Sequence, residues 1–137
     1  MASIRERILE KIKTTLDIGN VYRSRSQAFT KDVGMATVIF PVSEIAEPLF
    51  ENRMERTMTV QIMTVVRGLI PDQIADDRLN LILKKLGTDI TLGGLATNIT
   101  ESSTGWDFED ADNDALVITQ DFQVRYRTNL IDPSLQW

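Results

Sequence analysis

The chain of 137 residues contains no cysteine and no histidine. The absence of cysteine excludes disulfides, thiol nucleophiles and zinc sites built on thiolates. The absence of histidine removes the commonest general base near neutral pH, and with it the Ser-His-Asp and Cys-His catalytic arrangements. An enzyme built on this chain would depend on carboxylates, lysine or an added metal. We therefore expect a protein that is not an enzyme and has no catalytic residues.

Long hydrophobic runs are also missing. Hydrophobic residues make up 42% of the chain, but no stretch reaches the ~18–20 apolar residues of a membrane helix. The charged N-terminus has no apolar signal core behind it, so we expect synthesis in the cytoplasm and no membrane partner. The length suits a single domain, 1–137.

Charge is unevenly distributed around a net value of −5. Residues 1–31 are rich in arginine and lysine, whereas no basic residue occurs between Lys85 and Arg125. Such a division suits a subunit whose basic face meets an acidic face of a neighbour, or one that shows a negative surface to a polyanion. The alternative is two separate solvated charged regions.

Two amphipathic helices are predicted. Ser3 and Glu6 form a capping-box pattern ahead of apolar residues at helical spacing, which predicts a helix from Ile4 to Asp17. The second helix is expected to begin at Asp72 as N-cap and to end at Gly87 as C-cap. Gly93 and Gly94 then give the backbone freedom to change direction.

The strands are predicted from period-two alternation and β-branched composition. Met35 to Val42 reads as a buried strand ending at Pro41, and Glu44 to Glu55 as a loop or irregular edge strand. Further strands are predicted at 56–67, 95–100 and 115–128, with an acidic loop at 102–113. The predicted class is α+β, with two layers: two helices on one face of a mainly antiparallel sheet of four or five strands.

Metal and phosphate motifs are incomplete. Asp110, Asp112, Asp114 and Asp121 match positions 1, 3, 5 and 12 of a calcium loop, but Ala115 replaces the required glycine and Asp121 the bidentate glutamate. Gly93-Gly94 is not followed by the Lys-Ser/Thr of a phosphate-binding loop. We expect neither a metal nor a cofactor.

Several short motifs follow one another in a fixed order along the chain. They are an amphipathic N-terminal helix followed by Val21-Tyr-Arg-Ser-Arg25, then Leu92-Gly-Gly-Leu95, a loop, a long strand ending Tyr126-Arg-Thr128, and Asp132-Pro133. This order resembles the tail terminator (tail completion) proteins of long-tailed bacteriophages. The resemblance implies a ring, usually a hexamer, that caps the tail tube, ends its polymerisation and offers the surface for head–tail joining. It implies a virion protein of the tail or neck, assembled in the bacterial cytoplasm. The implied partners are other copies of the chain, the tail tube protein and the head–tail connector.

Candidate site residues follow from the same patterns. A subunit interface is predicted at Tyr22, Arg23, Arg25, Arg125 and Arg127, since tyrosine and arginine are enriched at interface centres. Asp107, Glu109, Asp110, Asp112 and Asp114 are predicted to face a lumen through which DNA passes without specific binding, or to face a partner. Trp106, Phe108 and Trp137 are predicted docking aromatics, and residues 131–137 a possible C-terminal interaction tail. The alternative function is another phage neck or tube protein, or a non-catalytic oligomeric adaptor of the same fold.

Overall fold

The computed structural model describes residues 2–24, 34–108 and 115–136, with Phe108 described by its backbone alone. Arg25, Glu109, Asp110, Asp112, Asp114 and Trp137 therefore lie outside the described residues. The elements run in the order α1 (Ile4–Thr15), β1 (Val21–Arg23), β2 (Met35–Leu49), β3 (Arg53–Arg67), α2 (Pro71–Thr88), β4 (Asn98–Phe108) and β5 (Ala115–Asn129).

The five strands form one sheet in the order β1-β2-β3-β5-β4. Only the short β1 runs parallel to its neighbour, and the other three pairs are antiparallel. Apolar residues of both helices pack with alternate residues of β3 and β5, so the helices cover one face of the sheet. The predicted α+β class is confirmed. We call the opposite side of the sheet the open face.

The central strands β3 and β5 follow their predicted alternation. Their register pairs Val60 with Phe122 and Met58 with Val124, all buried on the helix side. Gln120 and Thr128 are buried on the same side. Apart from the buried Ala115, the alternate residues of these two strands, on the open face, are half-buried or exposed.

Helix α1 begins as predicted, with the Ser3 hydroxyl accepting a hydrogen bond from the Glu6 N–H at 3.1 Å. Helix α2 differs from prediction at both ends. Its N-cap is Ile70, since Pro71 occupies the first helical position, where its fixed φ favours a helix start. The C-cap is Asp89 rather than Gly87, because the Asp89 carboxylate accepts the Gly93 N–H at 2.8 Å and builds the turn that follows.

Strand β2 continues through both prolines, so the prediction of a strand end at Pro41 was wrong. Of the two alternatives for Glu44 to Glu55, a loop or an irregular edge strand, the edge strand is confirmed as far as Leu49. The Thr37 N–H donates to the Asn20 carbonyl beside β1 at 2.8 Å, so it points away from β3. Pro41 lies four residues further along β2, and its backbone nitrogen points to the same side. Beyond an irregularity between Pro41 and Ser43, the register with β3 places Pro48 in the same outward-facing phase. At both positions the N–H that proline lacks would point away from β3 and would make no hydrogen bond between β2 and β3. Both prolines are therefore compatible with an edge strand.

Strand β4 also corrects a prediction, because Ser102 to Phe108 belong to a strand and not to a loop. Strand β4 lies at the margin of the sheet, and from Thr100 to Asp107 nearly every residue is exposed. An edge strand that is uncovered on both faces has no alternation of polar and apolar residues for the sequence to reveal.

A buried arginine joins the helix layer to the sheet. Arg78 lies on the core side of α2 with 8% of its surface exposed. Its guanidinium donates to the Thr37 hydroxyl at 2.8 Å and to the carbonyls of Ile18, Gly19 and Asn20 at 3.3, 2.6 and 3.3 Å. Burial lowers the pKa of Arg78 from its ordinary value. The side chain thus fastens the α1–β1 turn to α2 and β2.

We expect Arg78→Met to lower the free energy of unfolding by about 2–4 kcal/mol, because it leaves three carbonyls and a buried hydroxyl without this donor. Urea unfolding followed by circular dichroism measures the change. Lys84→Met on the exposed side of the same helix is the matched control, with an expected change within ~0.5 kcal/mol. Equal stability of Arg78→Met and the native protein would contradict this role.

Candidate interaction surfaces

A charged cluster centred on Glu44 links four elements on the helix side of the sheet. The Glu44 carboxylate accepts from Arg5 of α1 at 2.6 and 3.2 Å and from Arg56 of β3 at 3.2 Å. The Tyr126 hydroxyl of β5 also donates to it. The Glu44 side chain is 15% exposed. The cluster holds the exposed half of β2 to the rest of the molecule.

The ionisation of the cluster follows from its geometry. Burial tends to raise the pKa of Glu44, but hydrogen bonds from Arg5 and Tyr126 hold that pKa below its ordinary value. The hydrogen bond to Glu44 raises the pKa of Arg5. Burial, followed by the hydrogen bond to Glu44, raises the pKa of Tyr126. These contacts stabilise the charged carboxylate and offer no group ready to exchange a proton near neutral pH.

The three described arginines of the predicted interface set are engaged within their own subunit. Arg23 reaches Glu6 at 2.9 Å and Glu10 at 2.7 Å, both on α1. Hydrogen bonding to Glu6 raises the pKa of Arg23, and hydrogen bonding to Arg23 lowers that of Glu6. Arg125 and Arg127 both lie 3.4 Å from the Glu55 carboxylate.

The predicted interface set does not form one patch. Arg23 pairs with Ile39 and lies on the helix side, whereas Tyr22, Arg125 and Arg127 lie on the open face. Strands β2 and β3 separate β1 from β5, which amounts to about 14 Å at ~4.8 Å per strand. Tyr22 also lies far along the strand direction from Arg125. The structure therefore divides the set into two locations.

The middle of the open face is a row of hydrogen-bonded polar side chains. The Thr59 hydroxyl and the Gln123 amide are joined at 3.0 and 3.3 Å. Asp121 accepts from Gln61 at 3.3 Å and from the Ser103 hydroxyl at 3.2 Å. Such a surface is hydrated and carries no acid–base pair of the kind used in catalysis.

Acidic and aromatic candidates meet at the end of β4. Asp107 is exposed on the open face, paired with Val117 of β5. Trp106 is 56% exposed and lies on the helix side, opposite Ile118. Both belong to a strand, so their directions are fixed by the sheet and not by a loop.

The C-terminal segment is fastened to its own subunit by the backbone. Pro133 accepts the Ile4 N–H at 3.1 Å, and Leu130 donates to Asn52 at 2.7 Å in the β2–β3 turn. The Ser134 carbonyl accepts from Arg7. Ile131 nevertheless remains 83% exposed, as does Phe50 of the turn at 76%. This end of the molecule therefore presents apolar side chains, and the interaction tail at 131–137 stays a prediction.

A cleft of about 360 Å³ lies between the turn after α2, Arg127 and Gln136. Among the described residues that line this cleft, Arg127 is the one with a charged side chain. Within the described ranges, no group of three or more carboxylates is placed to hold a metal ion. In the same ranges, neither helix has the length and apolar character needed to cross a membrane.

The lowered pKa of Glu44 makes the stability of the folded protein depend on pH. The pKa of Glu44 in the folded protein lies below its ordinary value of 4.5. The contacts of the Glu44 carboxylate therefore contribute their full stability above pH ~4.5–6, and this contribution is lost as the pH falls through the lower pKa of the folded state. Glu44→Gln should lower stability by about 1.5–3 kcal/mol at pH 7, and this difference should narrow toward pH 3. Urea titrations across pH 3–7 measure it.

The matched control is Glu47→Gln on the same strand, since Glu47 is exposed and lies on the open face. We expect Glu47→Gln to remain within ~0.5 kcal/mol of the native protein at pH 7. A gap between native protein and Glu44→Gln that is as large at pH 3 as at pH 7 would refute the charge-based account.

Comparisons with known proteins place the fold. No protein-family model matches the chain, and no curated protein matches it in sequence. Among solved structures, a chain from the virion of a native gene transfer agent particle is similar, with a TM-score of 0.50 and 9% sequence identity. The match covers 90% of this chain and 90% of that chain. At this identity the likeness concerns the fold, which is therefore shared, over nearly the whole length, with a component of that virion.

Proposed function

We propose that the chain is a structural subunit of a phage or phage-like virion, and that copies of it form a ring on the end of the completed tail tube. The observation that carries this proposal is the fold shared over 90% of both chains with a gene transfer agent virion component. The sequence resemblance to tail terminators supports the finer role: ending polymerisation and offering the head–tail joining surface. Since that family usually forms hexamers, the proposed ring has six subunits.

The surfaces of the subunit are consistent with a structural role. A ring of identical subunits facing one way needs two different contact surfaces on each subunit. The two margins of this sheet differ, because one is formed by β1 and β2 and the other by β4. The exposed apolar side chains at the C-terminal end are available to a second protein, such as the tube or the head–tail connector.

The acidic residues 107–114 are proposed to face the lumen or a partner. Exposed carboxylates repel the phosphates of passing DNA and prevent specific binding. Asp107, the described member of this group, is exposed at the end of β4. An interface role is also proposed for Arg125 and Arg127, which lie together beside Glu55 on the open face, at the opposite end of β5.

The second candidate is a tube or neck protein, or an adaptor of the same fold. It is favoured by the edge strand β4, whose outer side is unpaired within the described sheet and would permit extended assembly. A terminator and a tube protein differ in outcome: the first caps tubes made by another protein, whereas the second forms long tubes alone.

We expect the purified protein to stop elongation when added to polymerising tail tube protein from the same particle. Electron microscopy measures tube length and end occupancy. The terminator role is supported if the tubes become shorter as more of this protein is added and if each tube carries a ring at one end. Long tubes formed by this chain alone would assign it as a tube protein, and no binding to tubes would leave the adaptor.

Replacing Asp107, Glu109, Asp110, Asp112 and Asp114 with lysine should preserve the fold while impairing DNA passage or head joining. Circular dichroism checks the fold, and particle infectivity or DNA delivery measures function. Neutral replacement of the same residues by asparagine or glutamine separates charge reversal from loss of contacts. Normal delivery by the lysine variant would refute the lumen assignment.

A further inference from the structure

The outer edge of β4 is built differently from the outer edge of β2. Arg67 of β3 donates to Gly34 at 2.9 Å, so odd-numbered residues of β3 bond to β2 and even-numbered ones to β5. By the register, odd-numbered residues of β5 then face β4, as the Thr97 N–H to Arg125 carbonyl bond at 2.7 Å shows. The backbone groups of Ile99, Glu101, Thr104 and Trp106 consequently point away from the sheet.

The edge of β2 is protected against strand pairing. From Phe40 onward no described strand lies beside it, yet Pro41 and Pro48 occupy outward-facing positions and provide no N–H. Between the two prolines, only Glu44 and Ala46 also direct their backbone groups away from β3. Strand β4 spans 11 residues without proline or lysine, the residues that commonly block such edges. The one continuous row of free backbone donors and acceptors on the described sheet margins is therefore on β4.

We propose that β4 pairs with β4 of a second copy, antiparallel and about a two-fold axis between Ser102 and Ser103. In this register the outward-facing groups of Ile99 and Glu101 meet those of Trp106 and Thr104 in the other copy. The irregularity between Glu101 and Ser103 shifts the outward phase by one residue, and this shift lets each half of the strand match the opposite half. The result is a continuous ten-stranded sheet with all helices on one side.

Side-chain pairs across this contact are compatible. Trp106, 56% exposed in the single subunit, lies opposite Ile99 on the helix side, an aromatic–aliphatic pair. Asn98 lies opposite Asp107 on the open face and can donate to its carboxylate. Glu101 lies opposite Thr104, so no carboxylate directly faces another. The strand is thus self-complementary in charge as well as in backbone direction.

The pair is a state of the free protein. A ring on a tube needs subunits that face one way, whereas a two-fold axis turns one copy against the other. If the proposed ring function holds, pairing through β4 keeps free subunits from closing into rings away from the tube. The pairing itself does not depend on that function and is tested without tubes.

The experiment is sedimentation and light scattering over a concentration series, comparing Thr104→Pro with Ala46→Pro. Each substitution removes one outward-facing N–H that the described sheet does not use, on β4 and β2 respectively. The native protein and Ala46→Pro should form dimers as concentration rises, and Thr104→Pro should need at least tenfold more protein to do so. A monomer at every concentration, or a dimer equally strong in Thr104→Pro, overturns the proposal.

A charge pair tests the register without introducing proline. Thr104→Glu places a carboxylate opposite Glu101 of the other copy and should weaken the dimer, whereas Thr104→Lys should strengthen it, both effects declining with salt. Equal dimerisation of the two variants overturns the register. Thermal unfolding of each variant confirms that the subunit is folded. Tube capping is scored separately, so a native protein that caps tubes but stays monomeric at every concentration overturns the pair and leaves the ring.

Discussion

The buried guanidinium of Arg78 is the constraint around which the helix layer is arranged. The turn between α1 and β1 directs three successive, partly buried carbonyls toward Arg78, and a carbonyl that loses contact with water needs another donor. Arg78 satisfies them with a fixed fork of donors and reaches the Thr37 hydroxyl at the same time. The position of β1, and hence of Tyr22 and Arg23, depends on this side chain of α2.

Charge within the subunit is largely used to hold the subunit together. Arg5 and Arg56 converge on Glu44, and Arg23 on Glu6 and Glu10, so the basic N-terminal segment presents less net charge than its sequence suggests. Asp107, the described member of the acidic segment, is exposed. Arg23, by contrast, is paired within its own subunit, which weakens its case as an interface residue.

The two sheet margins connect fold to assembly. One margin carries prolines that face outward, and the other carries an uninterrupted row of backbone groups beside an exposed tryptophan. Edge strands are either protected or used, because unpaired donors and acceptors recruit other strands. A subunit of the proposed ring would have to assemble only on the tube, and two different margins allow its free and assembled states to use different contacts.

The sequence by itself determined the helices, the central strands β3 and β5, and the α+β class, because a face buried against one layer imposes a period of two or 3.6. It predicted only the start of β4, as a strand at 95–100, and left the distal half of β2 open between a loop and an irregular edge strand, since edge strands exposed on both sides carry no such period. Arg78 interrupts an apolar stripe of α2, and that was the available signal for it. Glu44 gave no local signal, because its partners come from α1, β3 and β5 and only the tertiary structure brings them together.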